Sequence, residues 1–596
     1  MTPALDDADA LAGAESAAAA RLARGDSLSA YDKSQAARDA GLDSVRLRYL
    51  NVRALAATGD SAAALARYHA LDVGAQGDAD SLALEGRILK DMAFAGGGDA
   101  DARLAEAAAA YVRAFDRSGD AFPGINAASL LAMQGEGAQS AAILAQLAAI
   151  LGDGPPADYW AGATRVEAAL LQHDGAALAR LLDGGGWVTT GDAASRASTC
   201  LQVRRLAASG AVDSAAARTV CAALRPGPVV TYSGHMFRSD AAAEARISAA
   251  IGAELDQLAP SALVGPLACG ADILFAEAAL AREIDLVVVM PFDGDDFKAI
   301  SVLSGGAAWG ARHDAALAAA SRVVAASAAQ FVGDDLQFKL GSLTGMGVAI
   351  LRAAALETDA VQLVVAQGED VGPRARSEHA GTHADQAMWQ ATGRASIAIA
   401  AGPVDRRLDF PPTPAMAPVP RGQYALLFGD YAGFSKLREA DLPLFEQDVL
   451  GRIGAVLAAH GDAVLFRNTW GDAVYAVIEQ PQAAAAIALA IQAVLRDLPA
   501  ALGTAADGAG MRIGLHYGPL FRGQDPVTAA ASWYGTEVTR TARIEPVTPT
   551  RSVFCTESFA AALALAGTGG FDCHYVGRIT LAKDYGALAM YRLSDL

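Results

Sequence analysis

Cysteine is scarce in this 596-residue chain. Its five thiols, Cys200, Cys221, Cys269, Cys555 and Cys573, are widely spread and form no Cys-x-x-Cys pair. That excludes a zinc knuckle and a dithiol redox motif, and an odd, sparse set fits a reducing cytoplasm. Aromatic residues make up only 6% of the chain, and alanine carries much of the 53% hydrophobic content. Such a composition favours closely packed helices. No run reaches the roughly 18 uninterrupted apolar residues a membrane span needs. The longest, "AAAAIALAIQAVL", reads as a buried helix. The N-terminus "MTPALDDADA" lacks a basic segment before an apolar run, so no secretion signal is expected and the expected location is cytoplasmic. Excess positive charge is also missing: the net charge is −19. That excludes a general nucleic-acid binder and an electrostatic hold on anionic lipid.

What is present divides by texture, as a chain too long for one core should. Residues 8–225 hold almost no β-branched runs and read as successive amphipathic helices. Gly59-Asp60, Gly119-Asp120 and "HDG" at 173–175 break them. Helices paired through small residues predict a tetratricopeptide-like repeat domain. "FPGINAA" (122–128) and "DYWAGAT" (158–164) also resemble the TRAF-binding-like helical domain of bacterial signalling proteins, which implies a docking site for a protein partner. A reading of Pro123 as no more than a first-turn residue stands beside it.

After "RPGP" at 225–228 the pattern changes to strand, glycine turn, helix, strand. "IDLVVVMPF" and "AVQLVVAQG" are continuous apolar runs, as in parallel strands covered on both faces. Residues 228–401 are therefore expected to form a Rossmann-like α/β domain. Gly265, Gly270 and the helix starting near Ala271 are candidates to cradle a phosphate, with Ser233, Gly234 and Asp272 lining the same crevice. Glu277 reads as a helix-surface carboxylate. "GPLACGADILFAEAAL", "VVVMPFDGDDF", "LGSLTGMGVAILRAAAL" and "GTHADQAMWQATG" resemble the SLOG superfamily. The Pro-Gly-Gly-x-Gly-Thr-x-x-Glu loop of its phosphoribohydrolases is missing, so the resemblance implies sensing of a nucleotide-like ligand rather than that chemistry.

Residues 402–422 hold six prolines and are expected to be a semi-extended spacer. An independent domain, 423–596, should follow, with the order β-α-β-β-α-β of a ferredoxin-like α+β fold. In that topology the strand "ALLFGD" and the hairpin around Thr469-Trp470-Gly471-Asp472 are neighbours, so Asp430 and Asp472 can converge. Two close carboxylates repel. A divalent cation removes the conflict, and hard oxygen ligands suit Mg2+ or Mn2+.

"FGDYAGFSKL", "NTWGDAVYAV", "RIGLHYGP" and "WYGTEVTRTARIE" resemble the class III nucleotidyl cyclase catalytic domain, in that family's order. The resemblance implies that Asp430 and Asp472, with Tyr431, hold two metal ions, and that the backbone of Ala432, Gly433 and Phe434 lies beside the phosphates. The ribose 3′-hydroxyl would attack the α-phosphorus, leaving a 3′,5′-cyclic nucleotide and pyrophosphate. Arg543 would meet charge developing on the phosphates, and Lys583 is a further phosphate candidate. Thr539 stands where the family carries a ribose-orienting asparagine. Asn468 and Ser532 fall at the base-reading positions and match neither the adenylyl nor the guanylyl pattern; ATP is the default substrate. His516 reads as a strand-packing residue. The family's site forms between two domains, which implies a head-to-tail homodimer. The rival reading is a degenerate cyclase fold that binds nucleotide and dimerises as a receptor or scaffold.

Overall fold

The computed structural model describes all residues except 1–2, 96–98, 153, 367–379, 413–418, 503–508 and 596. They divide into two compact units. One comprises Met1–Gly227, Ala354–Thr358 and Tyr575–Gly577; the other comprises Pro228–Ala353, Asp359–His574 and Arg578–Leu596.

The first unit is built of helices from Pro3–Ala23 to Ser214–Leu224, successive ones packing on each other. The Gly-Asp breaks have a clear local cause. Gly59 takes a left-handed φ of 99°, ending one helix, and the Asp60 carboxylate accepts from the Ala63 N–H at 3.0 Å to start the next. At 173–175, His173 takes the left-handed position and Asp174 caps Ala177. Asp26, Asp158, Asp192 and Asp213 cap helices in the same way, so part of the acidic excess is used locally. Gly119 is also left-handed, but Asp120 makes no such side-chain bond. In "FPGINAA", Gly124 is a packing residue: a Cβ there would lie 2.8 Å from the Phe115 ring and 2.9 Å from Leu147.

The second unit holds two sheets. Strands β1 (Val229–Gly234), β2 (Ala262–Gly265), β3 (Asp285–Met290), β4 (Arg322–Ala325), β5 (Ala360–Ala366) and β6 (Ser396–Ala400) form a parallel sheet in the order β4-β3-β2-β1-β5-β6. The order reverses between β1 and β5, the doubly wound pattern that leaves a crevice at the strands' carboxyl ends.

The other sheet contains β7 (Arg421–Ala432), β8 (Val464–Trp470), β9 (Ala473–Ile478), β10 (Gly510–Gln524), β11 (Ala531–Tyr534), β12 (Val553–Thr556), β13 (Phe571–Thr580) and β14 (Ala587–Asp595). Its order is β13-β14-β12-β10-β7-β9-β8, with β11 paired to β10. β7 is central, between β10 and the hairpin strand β9, and helices Pro481–Val494 and Glu557–Ala566 pack on the sheet. Buried Leu426, Val477, Leu520 and Trp533 form one of its core clusters.

The proline-rich stretch does not run free as a spacer. Asp405 O accepts from the Arg238 N–H at 2.8 Å, Pro403 O from Arg246 Nη2 at 2.8 Å, and the Asp409 N–H donates to Ser304 O at 2.9 Å. Arg421 Nη1 pairs with Asp334 at 2.6 Å, and Gln423 Nε2 donates to Leu336 O at 2.8 Å. The two sheets accordingly belong to one compact unit. Residues 413–418 of the stretch lie outside the described residues. Among the described residues, no helix is long and apolar enough to cross a membrane.

Candidate active site

The apolar run Ala425–Leu427 is fully buried in the centre of the sheet, and β7 carries Asp430 from it to a half-buried end. Directly opposite on β10 is Arg512, whose Nη2 reaches Asp430 Oδ2 at 2.6 Å. The β8–β9 hairpin closes through Trp470 opposite Ala473, with Gly471 at a left-handed φ of 63°. This tight turn places Asp472 beside β7, close enough for its carboxyl to feel the Tyr431 main chain and the Asp430 carboxylate. Burial first, and the Asp430 charge second, push the Asp472 carboxyl above its usual range.

Glu545, just past helix Thr536–Ile544, extends the cluster. Its Oε1 lies 2.7 Å from Arg512 Nε, an ion pair whose angle falls short of a hydrogen bond. Burial, then the Asp430 charge, raise Glu545 to about 7 against the pull of Arg512. Arg512 is thus the one cation directly paired with this acidic cluster among the described residues. Nothing in "RIGLHYGP" or "TARIE" singles out Arg512 or Glu545 for this cluster. The signal for Arg512 was its strand register, which sequence spacing alone does not give.

Among the described residues, no group of three His, Cys, Asp or Glu is placed to hold a metal ion. Asp430 and Asp472 supply two carboxylates whose mutual repulsion a divalent cation relieves. Mg2+ ordinarily completes such a shell with water and substrate phosphates. The pair fits that role. Tyr431 brings only its main chain: its side chain is buried against Phe445 and its hydroxyl donates to Leu502 O at 3.2 Å. Past it, Ala432, Gly433 and Phe434 turn the chain, with Gly433 at a φ of 105° that favours glycine.

Among the described residues, the other sequence-derived candidates make no side-chain hydrogen bond or ion pair with Asp430 or Asp472. Thr539 is exposed and Arg543 half-buried on helix Thr536–Ile544, and neither makes a side-chain hydrogen bond or ion pair among the described residues. Lys583 is exposed, left-handed at φ 60°, in a short turn beside that helix. Asn468 is exposed on β8 and Ser532 half-buried on β11; the two strands are neighbours, joined by the Phe466 and Trp533 rings at 5.3 Å.

A second candidate site lies at the carboxyl ends of the parallel strands. A cavity of about 140 Å³ is lined by Ser233, Gly234, Asp272 and Ser301, among others, with Arg406 and Phe410 of the proline-rich stretch. Ser233 Oγ, Asp272 Oδ1 and Ser301 Oγ are buried there without hydrogen-bond partners among the described residues. Gly265 and Gly270 do not line it. A Cβ on Gly265 would meet the Tyr232 ring at 2.7 Å, and one on Gly270 would meet His235 O at 2.7 Å. These glycines serve close packing, and the carboxylate of Asp272, accepting from the Ala268 N–H at 3.3 Å, occupies the turn expected to cradle phosphate. Burial, then Asp385, raise the Asp272 carboxyl well above its usual range. Glu277 is held at the surface by Arg312 through two contacts of 2.7 Å.

Comparison with known proteins adds two matches. Residues 418–595 match the family model "Adenylate and Guanylate cyclase catalytic domain", and residues 25–131 match "Tetratricopeptide Repeats-Sensor". The chain therefore carries a cyclase catalytic domain of the adenylate/guanylate type and a tetratricopeptide-like region before it. No curated protein matched the chain. Among solved structures it is similar to the guanylyl cyclase Cya2, at 21% identity over 30% of this chain and 94% of that one, with a TM-score of 0.26. It is also similar to the guanylate cyclase domain of RhGC from Catenaria anguillulae in complex with GTP, at 19% identity over 29% and 96%, TM-score 0.25. A third is the adenylyl cyclase CyaB from P. aeruginosa, at 16% identity over 30% and 97%, TM-score 0.25.

Proposed function

We propose that the C-terminal region converts a nucleoside triphosphate, ATP by preference, into a 3′,5′-cyclic nucleotide and pyrophosphate. The observation that carries this reading is the meeting of Asp430 and Asp472, 42 positions apart, at the end of β7, inside the segment that matches the cyclase family. Asp430, Asp472 and the Tyr431 main chain would hold Mg2+ or Mn2+, which when bound supplies Lewis-acid stabilisation of phosphate charge. The turn at Ala432–Phe434 would receive the phosphates through its backbone.

Arg543, Thr539 and Lys583, with Asn468 and Ser532 for the base, would serve the site of a second copy in a head-to-tail homodimer. The guanidinium fork of Arg543, without a partner of its own among the described residues, suits the charge that builds on the phosphates. The α/β cavity is read as a SLOG-like sensing site for a nucleotide-like ligand, and the helical repeats as a docking surface for a protein partner.

One observation favours the rival reading, a nucleotide-binding receptor. Thr539 lacks the amide that would orient the ribose, which weakens positioning without touching the aspartates. Incubation of the purified chain with each of four triphosphates and Mg2+ or Mn2+ separates the two. Cyclic product that vanishes in Asp430→Ala upholds the enzyme; binding without product favours the receptor.

A further inference from the structure

We propose that Ser327 of the α/β domain and Glu537 are positioning residues, fixing the helix that carries Thr539 and Arg543. This rests on the cyclase reading, but it concerns a contact that the reading does not require. Helix Thr536–Ile544 is nine residues long and, among the described residues, has no side-chain cap at its N-terminus. It packs on β10 and β7, and Glu537 adds a polar anchor to that packing.

Glu537, its second residue, is 1% exposed and uses both oxygens. Oε1 accepts from Ser327 Oγ at 2.8 Å. Oε2 accepts from His516 Nε2 at 2.8 Å and lies 3.3 Å from Arg540 Nε. On the far side of the imidazole, Nδ1 lies 2.8 Å from Thr556 Oγ1. Burial lowers His516 below its usual range, against the pull of Glu537; in the neutral ring, Nε2–H donates to the carboxylate and Nδ1 accepts from the threonine hydroxyl. Arg540 and His516 already answer the carboxylate from within its own domain. Ser327, buried at 1%, adds a donor from the other one.

The hydroxyl comes from a firm support. Ser327 Oγ accepts from the Ala329 N–H at 3.2 Å, Ala329 O accepts from the Asp293 N–H at 3.0 Å, and the Phe331 N–H donates to Asp296 at 2.7 Å. On the helix, Thr539 and Arg543 follow Glu537 by two and six residues. At about 100° per residue they fall near the face opposite Glu537. Releasing the carboxylate would let the helix roll and carry Arg543 off its line, and a shift of about 1 Å is enough to cost catalysis. Other contacts between the two domains, Arg322–Glu557 and Arg421–Asp334, do not touch this helix and provide controls.

The test uses the full chain, with kcat, KM and Tm measured for Ser327→Ala, Ser327→Thr and Arg322→Ala, and hydrogen exchange read at residues 536–544. Ser327→Ala is expected to lower kcat about tenfold with KM within about twofold, to speed exchange in 536–544, and to be rescued by Ser327→Thr. Arg322→Ala is expected to lower Tm while kcat of the folded protein stays within about twofold. Unchanged kcat in Ser327→Ala, or equal losses in both alanine variants, overturns the proposal. If the parent chain forms no cyclic product, it is the cyclase reading that fails. Exchange then decides alone: faster exchange at 536–544 in Ser327→Ala than in Arg322→Ala upholds the anchor, and equal exchange removes it.

Discussion

Arg512 Nη2 lies 2.6 Å from Asp430 Oδ2, directly across the β7–β10 ladder, so the carboxylate offered to a metal ion already has a cation beside it. Replacing the arginine leaves Asp430, Asp472 and Glu545 facing each other without it. Arg512→Ala should lose about 1–3 kcal/mol of stability, discounted because the pair is partly exposed. Mn2+ should restore more in the variant than it adds to the parent, because binding to the folded state alone stabilises it. Thermal melts with and without Mn2+ check this; equal metal-induced shifts in the two proteins would contradict it.

Asp472 answers a different question. Asp472→Asn keeps the shape of the turn but removes one of the two like charges. Stability without metal should hold or rise slightly, because repulsion from Asp430 is relieved. Cyclic product should fall by at least about a hundredfold, about 3 kcal/mol of barrier. A melt and a product assay on the same preparation separate the two effects.

Burial would raise the Glu537 carboxyl, but Arg540, His516 and Ser327 outweigh it and hold the group down to about 2. A carboxyl depressed on folding contributes stability that is complete above its unfolded value, about 4.5, and is lost as pH falls toward 2. That contribution is on the order of 3 kcal/mol. Acid titration of unfolding should therefore steepen between pH 4.5 and 2 in the parent chain and flatten in Glu537→Gln. The same slope in both proteins would show that the carboxylate is not held this way.

Gly347 sits in helix Leu336–Ala355 where a Cβ would run into the Ala561 carbonyl of helix Glu557–Ala566. Backbone cannot yield as a flexible side chain does. Gly347→Ala should cost about 1–3 kcal/mol by forcing the helices apart. Denaturant melts would read the loss, and a neutral result would mean that the contact relaxes.

In the helical unit, the Asp192 carboxylate accepts from the Ser195 N–H at 2.7 Å and starts helix Ala193–Ala208. Asp192→Ala should cost about 1 kcal/mol. Exchange at the first turn of that helix should rise more than exchange elsewhere in the unit.

Much was legible in the linear order, because the signals were local. "ALLFGD" announced a buried strand that carries a carboxylate, although the strand runs on to Ala432, and Gly59-Asp60 announced a helix stop and start. The strand-turn-helix runs of 263–292 announced a parallel sheet. These depend on periodicity and on backbone preferences of single residues, which neighbours in sequence are enough to set. Gly265 and Gly270 read as a phosphate cradle for the same reason. A sequence shows that a glycine is present but not which atoms crowd it, and here those atoms are the Tyr232 ring and the His235 carbonyl.

Pairings between distant segments were decided only by the tertiary structure. The sequence by itself determined which residues carry charge and which strands and helices form. Folding determined that Arg512 stands against Asp430, that Glu545 joins them, and that a serine of the parallel-sheet domain reaches a carboxylate on the neighbouring domain's helix. The physical reason is range. Strand and helix preferences act over a few residues, whereas a charge is satisfied by whatever the packed chain brings within about 3 Å, and no local rule specifies that partner.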